Sequence, residues 1–218
     1  RAQARFFMCE FADDCYNGFL FLQLSAFMPH TMPKQYIASD FGINPHDLGQ
    51  ATLTTLHTLQ QAGFDAYIVG GSVRDLLLRL HPKDFDIATN ATPEQVKRVF
   101  GRHCQIIGRR FQLAHVYQER HLFEVATFRA PHQEHSAKSQ TSAQGLIMRD
   151  NVWGTIEQDA LRRDFTANAL YYNPQTGIIW DFANGLSDIQ HKVLRIIGNP
   201  SDRYREGPAC GQRCEASQ

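Results

Sequence analysis

Asp84 and Asp86 stand two positions apart in Lys83-Asp84-Phe85-Asp86-Ile87-Ala88-Thr89, where Asp84 to Thr89 alternates as a strand does. On a strand both carboxylates leave one face while Phe85 and Ile87 enter the core. Carboxylates held that close repel each other unless a cation sits between them. Divalent magnesium takes oxygen ligands and suits the pair. Two such ions about 3.5–4 Å apart clamp the attacking and leaving oxygens of a phosphoryl transfer. Asp84 and Asp86 are therefore candidate metal ligands and candidate catalytic residues. Taken alone, an Asp-x-Asp is more often a solvated edge with two exposed acids.

A second signal lies upstream. Gly70-Gly71-Ser72 follows the apolar run Ala66-Tyr67-Ile68-Val69 and opens a predicted helix. At such a turn unpaired backbone N–H groups and the helix dipole favour a phosphate, and glycine lets the backbone approach closely. Arg74 falls one turn into the helix, within reach of a triphosphate oxygen, and Asp75 is placed to pair with it or with a neighbouring amide. A Gly-Gly by itself is more often only a tight strand-to-helix turn. Its spacing to the Asp pair makes it informative.

The elements that must position these groups read as follows. Residues 1 to 43 are taken as an N-terminal extension, poorly ordered. Its apolar run Tyr16 to Met28 is too short to span a bilayer, which takes about 20 apolar residues, and has the wrong flanks for a signal peptide. Asn44-Pro45-His46-Asp47 announces a helix, with Asn as N-cap and Pro at the first position, and Gly63 closes it. A strand over 66–69, a helix over 72–80, a strand over 84–89 and a helix over 92–100 follow, Pro82 separating the middle two. Further strands are expected at 104–107, 113–118 and 121–128, then a mobile surface loop over 129–150. Residues 156–170 are expected to be largely helical, 178–181 a strand, and 185–191 a turn and short helix. The order is that of a mixed α/β domain followed by the start of a helical one.

Composition narrows the class further. The 218-residue chain balances 22 Lys and Arg against 22 Asp and Glu, so no global field draws in nucleic acid, and any polyanion must be held by local clusters. The five cysteines are odd in number and scattered, which argues against a disulfide framework and for a reducing, cytoplasmic setting. Cys210 and Cys214 lack a second ligand pair at zinc spacing and read as incidental thiols.

Gly70-Gly71-Ser72-Val73-Arg74-Asp75 followed by Lys83-Asp84-Phe85-Asp86 closely resembles the signature of the bacterial poly(A) polymerase and CCA-adding enzyme family, the class II nucleotidyltransferases. Arg162-Arg163-Asp164-Phe165-Thr166-Ala167-Asn168-Ala169-Leu170 is similar to that family's second motif, and Asp181 to Asp188 to its head-to-neck connector. The resemblance covers about residues 44 to 206. It implies a nucleotidyltransferase head with a mixed sheet and flanking helices over 44–180, then a connector and incomplete helical neck over 181–206. Ile106-Ile107-Gly108-Arg109-Arg110-Phe111-Gln112-Leu113-Ala114-His115-Val116 looks like the element marking the poly(A) polymerase branch. Met148 to Glu157 is also similar to that branch.

The resemblance implies AMP addition from ATP to RNA 3′ ends with two magnesium ions, RNA and ATP as partners, and no membrane. It implies Glu124 as a third catalytic carboxylate, and Asp164 as catalytic and ribose-facing. Gly70, Gly71, Ser72, Arg74, Asp75, Arg129 and Arg163 would bind nucleotide, and Arg109 and Arg110 would hold RNA. The family usually has glycine where this chain has Arg79. Tyr204-Arg205-Glu206 starts the next family motif, but Gly207-Pro208-Ala209-Cys210 departs from it, so 207–218 reads as an aberrant tail and the chain as a truncated fragment. A CCA-adding tRNA nucleotidyltransferase and an inactive nucleotide- or RNA-binding fragment are the alternatives.

Overall fold

The short apolar runs pair into one eight-stranded sheet in the computed structural model, which describes residues 21–23, 32–108, 112–130, 140–141, 147–149 and 152–199. Its strands are β1 (Lys34–Ile37), β2 (Ala66–Val69), β3 (Asp86–Thr89), β4 (Cys104–Ile107), β5 (Leu113–Gln118), β6 (His121–Thr127), β7 (Leu170–Asn173) and β8 (Ile178–Asp181). The spatial order is β1-β8-β7-β2-β3-β6-β5-β4. All neighbours run antiparallel except β3 and β6, which are parallel and pair Ile87 with Val125. A parallel pair needs a long crossover, and the chain between β3 and β6 supplies it as α3 (Pro93–Phe100) and the β4–β5 hairpin.

Alternation along each strand sorts the two faces. Ile68, Ile87, Ala114, Val116, Val125, Leu170, Tyr172 and Ile179 bury on one face with Leu56 and Leu59 of α1 (Gln50–Gln61) and Val96 of α3. The other face holds Val69, Ala88 and Tyr171 with Ala160 of α4 (Ile156–Leu161), Phe128, Phe182 and Ile197. There Tyr171 meets Tyr67, Phe128 and Phe182 edge-on or nearly so, and Trp180 stacks on Phe182. Each fully buried aliphatic side chain contributes about 1.5–3 kcal/mol, so Ile68 and Ile87 alone pin the central strands that carry the turn and the Asp pair.

Several expectations change in detail. The strand expected over 84–89 starts only at Asp86, because Asp86 pairs with Val69 and the partner chain then leaves the sheet at Gly70. The helix expected from Asn44 splits: a 3-10 turn over Pro45–Leu48, closed by the Asn44 N–H donating to Asp47, breaks at Gly49 (φ 75°) before α1 begins. Residues 34–37, expected in a poorly ordered extension, form the edge strand β1 against β8. The helix expected over 156–170 stops at Leu161. A 3-10 turn over Thr166–Asn168 follows, and Leu170, the last residue of the expected helix, pairs instead with Asp181 in the β7–β8 ladder, so tertiary pairing overrides the expected helix there. The strands at 104–107, 113–118 and 178–181 lie where alternation puts them. After β8 come α5 (Gly185–Gln190) and β9 (Val193–Arg195), the latter paired in parallel with Phe21–Gln23.

Candidate active site

Gly70 is held at φ 77° and ψ −143°, a backbone conformation open to glycine and strained for other residues. A Cβ there would sit 3.6 Å from Nη1 of Arg163 and 3.8 Å from Oδ2 of Asp86. The turn, the first strand carboxylate and the second-motif arginine therefore converge on one point. α2 (Gly71–Leu77) starts directly behind it, and Ser72 Oγ donates to the Val69 carbonyl at 3.0 Å, tying helix to strand.

Asp86 is the first residue of β3 and faces away from the core that receives Phe85 and Ile87. Asp84 lies in the exposed lead-in rather than on the strand. Register explains Glu124: Ile87 pairs with Val125 in the parallel ladder, so one step back Asp86 comes beside Glu124. The charges agree. Burial pushes the Asp86 carboxyl above its ordinary pKa, Glu124 and Asp84 push it further, and Arg163 pulls it down. Asp86 is thus a carboxylate short of positive charge, and the expected acids act on it together.

Arg74 folds back over the turn. Its Nε and Nη2 donate to Asp75 Oδ1 at 2.9 and 2.8 Å, and its Nη1 donates to Asn168 Oδ1 at 3.0 Å. A Cβ on Gly71 would approach Arg74 Nη2 to 3.2 Å, so the second glycine leaves room for that guanidinium. Arg74, Asp75 and the second motif are therefore one assembly beside the turn.

Asp159 organises the rest, and residue types alone did not single it out. Its carboxylate is 2% exposed and accepts from Arg162 Nε at 3.0 Å, Arg163 Nη2 at 3.1 Å, Tyr171 Oη at 2.6 Å and the Arg129 backbone N–H at 3.1 Å. Tyr171 also accepts from Arg163 Nε at 2.9 Å, and the guanidinium lies 5.1 Å from the Tyr171 ring centre. Arg163 is thus gripped on one side while Nη1 faces Gly70. The sequence signal was the i, i+3 and i, i+4 spacing of Asp159 to Arg162 and Arg163. Asp164 is held through its backbone carbonyl, which accepts from the Ile197 N–H at 2.9 Å. Arg109 and Arg110 lie outside the described residues, as do 207–218.

Arg79, where the family pattern has glycine, takes the left-handed conformation (φ 58°) just past α2, and its guanidinium packs against Gly42. The turn that glycine would make is therefore preserved.

The Poly A polymerase head domain family matches residues 66–195. Poly(A) polymerase I of Haemophilus influenzae is 53% identical over 173 residues, covering 78% of this chain and 38% of that protein. The CCA-adding enzyme of Streptococcus mutans is 39% identical over 159 residues, covering 72% of this chain and 37% of that protein. Among solved structures, the Bacillus stearothermophilus CCA-adding enzyme in complex with CTP superposes with a TM-score of 0.59 at 33% identity, over 78% of this chain and 38% of that one. The chain spans little more than a third of the length of these relatives.

Proposed function

Since the chain belongs to the Poly A polymerase head domain family, we propose that it is the nucleotide-gripping head of a polynucleotide adenylyltransferase, adding AMP from ATP to RNA 3′ ends in the cytoplasm. The observation that carries the chemistry is Asp86, set between the acids Glu124 and Asp84 and the Arg163 guanidinium at the Gly70 turn. Higher identity to a poly(A) polymerase than to a CCA-adding enzyme favours ATP and RNA over CTP and tRNA.

Among the described residues no three His, Cys, Asp or Glu close into a metal cage. Magnesium is ordinarily held by one or two carboxylates together with substrate phosphates, so Asp84 and Asp86 fit an ion that arrives with the nucleotide. When bound, two such ions stabilise the attacking and leaving oxygens. In this proposal the Gly70-Gly71-Ser72 turn admits the triphosphate, Arg74 and Arg163 hold its oxygens, Asp164 faces the ribose, and Arg129 and Asp75 support the two arginines. Glu124 stands beside Asp86 as the third carboxylate. The primer 3′-oxygen then bonds to the α-phosphorus as the bond to pyrophosphate breaks. Arg109 and Arg110 are assigned to RNA phosphates. Among the described residues no helix is long and apolar enough to cross a membrane.

The test incubates the chain with magnesium, labelled ATP or CTP, and either unstructured RNA or a tRNA transcript. AMP addition to unstructured RNA is expected. Incorporation of C into tRNA would move the assignment to the CCA-adding branch, and nucleotide binding without turnover would reduce it to a binding fragment.

A further inference from the structure

His115 lies directly opposite Glu124 in the β5–β6 ladder, on the side of Glu124 away from Asp86. Its Nε2 is buried with no hydrogen-bond partner, 3.6 Å from Glu124 Oε1. That separation is too long for a hydrogen bond and short enough for a small side-chain rotation to make one. A buried polar nitrogen without a partner is costly, so one that is retained calls for a physical reason. Gln105, the next residue across the sheet from His115, is exposed on β4.

Glu124 has the opposite problem. Its side chain is 53% exposed and sits beside the like charge of Asp86, so solvent and repulsion both favour its swinging away from the site. A carboxylate has two oxygens, and an imidazole N–H that fixes one leaves the other facing the neighbouring strand. We propose that His115 is a positioning residue: Nε2–H takes Oε1 of Glu124 as nucleotide and divalent ion are taken up, and so keeps Oε2 turned toward Asp86. The role is that of an outer partner that orients a ligand without touching the ion. It rests on the reading of Glu124 as the third carboxylate.

A double-mutant cycle separates the two claims. Magnesium-dependent ATP binding to the chain is measured by calorimetry for the unaltered protein, Glu124→Gln, His115→Ala and the double variant, with melting temperatures taken without ligand. Glu124→Gln is expected to weaken binding. His115→Ala is expected to weaken it by about tenfold, the double variant no more than Glu124→Gln alone. His115→Gln, which keeps a donor of similar reach, restores most of the affinity. His115→Asn, too short to reach Glu124, behaves like His115→Ala and serves in its place if that variant does not fold. Full additivity, or an effect of Glu124→Gln with none of His115→Ala or His115→Asn, overturns the role of His115 alone. No effect of Glu124→Gln, or no magnesium-dependent ATP binding by the unaltered chain, overturns the reading of Glu124 and the inference with it.

Discussion

At the residue scale, Asp159 shows how a buried charge can hold a site it does not enter. Burial works to raise its pKa, but the guanidinium groups of Arg163 and Arg162, the Tyr171 hydroxyl and the Arg129 N–H outweigh burial and hold the carboxyl below its ordinary value. A folded-state pKa below the unfolded one contributes stability that is present above the unfolded pKa and lost as pH falls through the folded one. Asp159→Ala removes the acceptor shared by Arg162, Arg163, the Tyr171 hydroxyl and the Arg129 N–H. It is expected to cost about 3–5 kcal/mol at pH 7, with a smaller difference in acid, as urea unfolding at the two pH values would show. Tyr171→Phe deletes one donor and one acceptor, at a cost of about 1–3 kcal/mol. Because it frees Arg163, it is also expected to weaken ATP binding. The Gly70-Gly71 turn was legible because it follows directly on its own strand, whereas Asp84, expected on the strand with Asp86, lies in the exposed lead-in. The Asp159 assembly was not legible, because Tyr171 and Arg129, which donate to it, lie 12 and 30 residues away in sequence.

At the scale of elements, two joints decide how the second motif meets the sheet. Asp181, the last residue of β8, turns its carboxylate onto the N–H groups of Ala183, Gly185 and Leu186 and so closes the start of α5. Gly185 packs against the Thr166 carbonyl so closely that a Cβ would overlap it. Gly185→Ala is therefore expected to destabilise by about 1–3 kcal/mol in thermal unfolding, since backbone rather than a side chain must move. The other joint is the end of α2, where Arg79 adopts a left-handed conformation that costs an L-residue about 1–2 kcal/mol. Arg79→Gly is expected to raise the melting temperature by about 2–4 °C. A fall instead would show that packing on Gly42 outweighs the backbone strain. Helix starts such as Thr92, whose hydroxyl accepts from the Gln95 N–H, were readable because caps are local. The break at Gly49 is also local, a glycine at φ 75° behind the Asn44–Asp47 cap, whereas the strand that replaces the expected helix at Leu170 depends on pairing across the sheet, which alternation alone does not reveal.

At the scale of the whole molecule, the sheet gathers what the chain separates. β2 brings the turn and β3 the first strand acid. β6 adds Glu124, and the segment before β7 brings Arg163 to the same edge. The chain carries no net charge, so attraction for a triphosphate and a divalent ion must arise at this edge. The most direct test is calorimetric titration of ATP into the chain with and without magnesium, repeated with Asp86→Asn. Binding is expected to require magnesium and to weaken at least about tenfold in Asp86→Asn. That variant should melt no lower than the unaltered protein, because the repulsion from Glu124 and Asp84 is gone. ATP binding that is equally tight without magnesium, or unchanged in Asp86→Asn, would contradict the assignment of this edge as the metal and triphosphate site.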